Sequence, residues 1–215
     1  MTQKEAPNLP PSKIKAYALA KSIAAKHGFE VRVWNHEIPV CSSFSWTRAR
    51  GREGLVPVVG FTPQALQQME EIRQHDRRML SNSLEFLVAH EAAHLQGQEE
   101  LQRRPEIKKR LGSTDVFEAR AHRIATTDLL GKLGVGSITQ IMERKNPARA
   151  RFLEHLSDFF VLFFKLSRPN PTSMQNARKI MASSRVMNFL PKALEDSAKR
   201  KALQKISRLN ASKKS

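Results

Sequence analysis

The chain has 215 residues, 40% of them hydrophobic, enough to bury one substantial core without disulfides or structural metals. Its 37 Lys+Arg against 20 Asp+Glu give a formal charge of +17, far from the near-neutral balance of an ordinary cytosolic enzyme. A single cysteine, Cys41, excludes a disulfide framework and a cysteine-based metal cluster, and no apolar run approaches the roughly 18 residues of a membrane-spanning helix.

Residues 1–13 are polar and proline-bearing, without the basic-then-apolar pattern of a secretory signal, and read as a flexible N-terminus. A cytoplasmic location is the expectation. Residues 14–27 read as a helix ended by Gly28, and residues 29–34 as a short strand. Residues 35–53 read as a polar, arginine-rich loop, with Cys41 in a packing or loop position. Residues 55–61 read as a strand. Pro57 cannot donate to a ladder, which predicts an edge strand and a candidate rail for an extended peptide substrate. Thr62 then caps a helix with Pro63 at its first position, and Ala65, Leu66, Met69, Ile72, Met79 and Leu80 mark its inner side.

Ser81, Asn82 and Ser83 offer N-caps to a further helix, with Leu84, Leu87 and Val88 facing inward and Gly97 as its predicted stop. Within it lies His90-Glu91-Ala92-Ala93-His94, an H-E-x-x-H. At 3.6 residues per turn the two imidazoles stand one above the other and can grip one metal ion, while Glu91 can act as general base without being a ligand. Zinc in a hydrolase needs a third protein ligand. The stretch from Phe117 to Ala125 supplies Glu118, one turn before His122, on a helix whose Ala121, Ile124, Ala125 and Leu129 form a small-residue face for close approach. Glu118 is the first candidate, with His122 supporting a ligand or shaping the pocket. The reverse assignment stays open, as does an ordinary Glu118–arginine pair on a solvated face.

The pattern H-E-x-x-H followed by E-x-x-A resembles the gluzincin peptidases related to the CAAX prenyl protease and the heat-shock protease HtpX. That resemblance implies a zincin-like α+β fold, mostly helical with a small sheet, and an active-site helix carrying the motif. It also implies zinc on His90, His94 and Glu118. Residues 129–137 are similar to the family's helix end, glycine turn and new helix, and residues 167–172 with Arg178 to its Ser/Thr-His-Pro segment and following helix. Three departures stand out: His122 replaces the usual Asp, Arg168 replaces the usual His, and the membrane-spanning segments are missing. The shorter spacing between the two motifs is also similar to the ImmA/IrrE group of small peptidases. The implied activity is a zinc endopeptidase acting on protein or peptide substrates, with Arg168 or His122 as candidate donor to the oxyanion. Tyr17, the only tyrosine, is remote in sequence.

Residues 159–164, Phe-Phe-Val-Leu-Phe-Phe, read as a helix buried against the metal-site helices, with a segment lying in a membrane interface as the alternative. Residues 14–191 then make the catalytic domain and residues 192–215 a basic tail, fraying or disordered for want of apolar anchors. The tail carries Lys192, Lys199, Arg200, Lys201, Lys205, Arg208, Lys213 and Lys214. Further cations cluster at Arg103-Arg104, at Lys108-Lys109-Arg110, and at Arg149 and Arg151. Such charge suits nucleic acid or an anionic membrane surface, hence a peripheral-membrane or nucleoid-associated position. A nucleic-acid-associated protein in which the zincin fold is a scaffold, or acts on DNA-bound proteins, is the alternative function. No paired cysteines or recognition-helix pattern gives that reading specificity.

Overall fold

The computed structural model describes residues 14–35, 37–47, 54–103, 114–167, 178 and 186–212. The order is α1 (Lys15–Lys26), β1 (Glu30–Val33), β2 (Val40–Thr47), β3 (Gly54–Phe61), α2 (Pro63–His75), α3 (Arg77–Arg103), α4 (Thr114–Lys132), α5 (Ile138–Met142), α6 (Ala148–Ser167) and α7 (Lys192–Ala211). It is an α+β arrangement, mostly helical, with one three-stranded sheet. No helix among the described residues is long and apolar enough to cross a membrane.

The sheet order is β1-β3-β2, with β1 parallel and β2 antiparallel to β3. This corrects two expectations. Residues 35–53 are not all loop, because β2 occupies part of that stretch. The strand containing Pro57 is the central one, not an edge. Proline is tolerated there because β1 pairs only from Val58 onward, so Pro57 faces a neighbour on the β2 side alone. The period-2 signal in β2 is present at Val40, Phe44 and Trp46 but is interrupted by Ser42, which has a role of its own described below.

Thr62 caps α2 as expected, its Oγ1 accepting from the Ala65 amide at 3.1 Å. The helix stops sooner than the sequence suggests. Asp76 breaks it, and the Asp76 carboxylate accepts from the Arg78 and Met79 amides at 2.8 and 3.0 Å, starting α3. Ser81, Asn82 and Ser83 are therefore interior to α3, not caps. Nor does Gly97 end α3, which runs to Arg103. Gly97 is buried inside α3, and a Cβ there would meet the tip of the Arg120 side chain of α4 at 3.1 Å, a contact that a small shift of that side chain relieves. Residues 129–137 turn as anticipated: Gly134 has φ +71°, Val135 N donates to Leu130 O at 2.9 Å, and Ser137 caps α5.

The core lies between α3, α4 and α6 and extends through α1, α2 and the inner face of the sheet. Phe159, Phe160 and Phe164 are buried in it, so the aromatic run is interior packing and not a surface for lipid. The C-terminal segment also differs from expectation. It forms α7, antiparallel to α6, burying Leu194, Ala198, Ala202, Ile206 and Leu209 at helical spacing. Two of its lysines turn inward to acidic partners. Lys199 pairs with buried Glu195 at 2.8 Å, and Lys205 reaches Glu154 at 2.6 Å, Ser157 Oγ at 2.9 Å, and the carboxylate of Asp158.

Candidate metal centre

α3 carries His90, Glu91 and His94, and α4, packed across it, carries Glu118 and His122. The buried faces of the two helices explain the meeting: Leu84, Leu87, Val88 and Leu95 on α3, with Ala121, Ala125 and Leu129 on α4. The rings of His90 and His94 stand at 89° to each other, which brings their Nε2 atoms to 3.0 Å. Glu118 turns one oxygen to each, Oε2 at 3.3 Å from His90 Nε2 and Oε1 at 3.4 Å from His94 Nε2. Ligands held tetrahedrally at about 2.0–2.1 Å from zinc lie about 3.3–3.4 Å from one another. The three donors therefore fit one small cation.

His90, Glu118 and His122 also present ligand atoms within 4.8 Å of one another, so His122 borders the same point. We take His94 over His122 as part of the donor triangle, because its separations are near 3 Å. His122 instead lies beside the His90 ring, centroids 4.3 Å apart, with Phe86 and Phe159 around it. The buried Nδ1 atoms of His90 and His122 have no hydrogen-bond partner among the described residues. Buried polar atoms without a partner are costly, and each calls for an explanation.

The charges divide by environment. Burial is the largest influence on Glu91 and pushes its pKa up, opposed by His90, His94 and a hydrogen bond from Ser42. Hydrogen bonds from His90 and His94 hold Glu118 far below the usual carboxylate range. Burial drives His122 down to about 3, so it is a neutral imidazole at physiological pH. For His94 burial opposes the charged form, but Glu118 outweighs it and the pKa is raised. The two carboxylates thus differ in environment: the imidazoles favour the ionised form of Glu118, whereas burial favours the protonated form of Glu91.

The site opens into a cavity of about 370 Å³. Leu87, Phe159, Phe163 and Leu166 form an apolar wall, and Val40, Cys41 and Ser42 of β2 form the other side. Burial, then the nearby Glu91, raise the Cys41 thiol pKa, which keeps it protonated. Sequence reasoning misses Ser42 and Cys41 because 35–53 reads as a loop; the broken alternation through Phe44 and Trp46 is the available signal. Tyr17 is elsewhere, its hydroxyl donating to Val31 O at 3.3 Å. Arg168 and residues 169–172 lie outside the described residues, and Arg178 is described only as an exposed helical residue. No protein-family profile, curated protein or solved structure matches the chain.

Proposed function

We propose that the chain is a zinc-dependent endopeptidase of gluzincin type. The observation that carries this reading is the convergence of His90 Nε2, His94 Nε2 and the Glu118 carboxylate within 3.0–3.4 Å of one another, with buried Glu91 alongside. Two imidazoles and one carboxylate also serve non-haem iron. The adjacent proton-accepting carboxylate and a peptide-sized apolar cavity favour hydrolysis. Zinc held by His90, His94 and Glu118 would supply a water of lowered pKa, towards about 7, and polarisation of a peptide carbonyl.

The chain's own residues would then act as follows. Glu91 takes a proton from the attacking water and delivers it to the leaving amine, and its raised pKa suits both transfers. Ser42 orients that carboxylate by hydrogen bonding. His122, neutral and buried beside His90, is positioned to donate a hydrogen bond as negative charge develops on the scissile carbonyl. β2 is the sheet's edge beside the cavity, so it takes over from β3 as the rail on which an extended peptide adds as a strand. The apolar wall of Leu87, Phe159 and Phe163 accommodates a large apolar side chain of that peptide.

Glu91→Gln is the direct test. Peptide-bond cleavage of an unfolded protein substrate should fall by at least about 10³-fold while zinc content stays near that of the unsubstituted protein. Cleavage that survives the substitution rules out this mechanism.

A further inference from the structure

The ion pairs between α6 and α7 stop abruptly at one end. Lys205 of α7 meets Glu154 and Asp158 of α6, which fixes the register of the two antiparallel helices. One helical turn further along the same seam, α6 carries Arg151 and α7 carries Arg208, both exposed and both cationic. Neither has an acidic partner among the described residues. The link before α6 adds exposed Arg144 and Lys145, and it is held in place: Arg149 Nη1 donates to Met142 O at 2.6 Å and Asn146 Nδ2 donates to Gln140 O at 2.9 Å. The first turn of α6 has no acidic residue. Cations therefore gather at the positive end of a 20-residue helix, against its dipole. Glu143 is the one exposed acid on that link.

We propose that this end of the α6–α7 pair, built on Arg144, Lys145, Arg151 and Arg208, is a docking surface for the phosphate backbone of nucleic acid. A polyanion relieves both the like-charge crowding and the unfavourable dipole interaction, and a duplex offers about one charge per 1.7 Å of its axis. A bilayer is disfavoured because none of the exposed large hydrophobic side chains lies on α7 and only Met142 lies near the link. Contacts of this kind position the protein without reading sequence. The metal centre sits toward the other end of α6, since Phe159 follows Arg151 by eight residues, about 12 Å along the axis.

The test is independent of any peptidase activity. Binding of the whole chain to a fluorescent random-sequence 20-base-pair DNA duplex is measured across a salt series, beside vesicles containing phosphatidylserine. The unsubstituted protein should give a log–log slope of about −3 or steeper. The combined Arg144→Ser, Arg151→Ser and Arg208→Ser variant should flatten that slope by about 2 to 3 and weaken binding at least about tenfold at 0.1 M salt. Lys15→Ser with Lys21→Ser removes two exposed cations from α1, which packs on α2, α3 and β1, and should change the slope by less than about 0.5. A salt-insensitive interaction, an unchanged slope in the triple variant, an equal per-charge loss in the α1 control, or binding to vesicles without binding to DNA each overturns the proposal.

Discussion

Glu118 faces two imidazoles with separate oxygens and yet has a side chain 48% exposed, a combination that a purely structural ion pair does not require. Its neighbour His122 is almost fully buried and pressed against His90. The two residues, one turn apart on α4, therefore separate cleanly by substitution. Glu118→Ala should lose zinc by at least about 100-fold in affinity, because a three-ligand set becomes a pair. His122→Phe, which preserves the ring contact with Phe86 and Phe159, should change zinc affinity by less than about tenfold while lowering turnover. Competition with a chromogenic chelator distinguishes them, and a reversed order would make His122 the ligand. The i, i+4 spacing that puts His90 with His94, and Glu118 with His122, on a shared helix face is legible in the sequence, whereas the choice between Glu118 and His122 as third ligand is not. What spacing does not decide is which face of α4 meets α3. That is settled by packing, which buries Ala121, Ala125 and Leu129 of α4, while Gly97, a helix stop by its sequence pattern, lies buried inside α3.

α7 is the element that departs furthest from its sequence pattern, and the reason lies in its composition. Lysine at 199 and 205 looks like solvated charge in a linear sequence, but each side chain turns to a carboxylate on the buried seam, and the apolar residues between them are spaced as a packed stripe. Ile206 is fully buried, so Ile206→Ala should destabilise the whole domain by about 2–5 kcal/mol, seen as a lowered urea midpoint without loss of cooperativity. A frayed tail would show almost no change. The Asp158 carboxyl on α6 gives a second handle. Burial pushes its pKa up to about 6, although Lys205 and Asn82 favour the ionised form. A folded-state value above the unfolded one means that the native state holds the proton more tightly, so this group's contribution to stability falls as pH rises from about 4 to 6. Asp158→Asn removes that titration. Its stability relative to the unsubstituted protein should rise by up to about 3 kcal/mol across that window in urea titrations at successive pH values, and a flat difference would contradict the assignment. β2 and β3 differ from their local pattern for a related reason: Pro57 and the serines of β2 obey pairing partners that the pattern does not reveal.

At the scale of the molecule, the apolar-walled cavity lies beside the C-terminal half of α6, and arginines without an acidic partner among the described residues lie at its N-terminal end. Lys199 and Lys205 are offset by Glu195, Glu154 and Asp158, so the basic excess lies in other cations, exposed Arg144, Lys145, Arg151 and Arg208 among them. Everything functional in this account begins from one divalent ion between α3 and α4. Elemental analysis of the purified, extensively dialysed protein, paired with X-ray absorption at the metal edge, measures that directly. The expected result is about one zinc per chain with nitrogen and oxygen ligands at about 2.0–2.1 Å. Protein that is folded but takes up no zinc when it is supplied, or that holds iron in its place, would contradict the account.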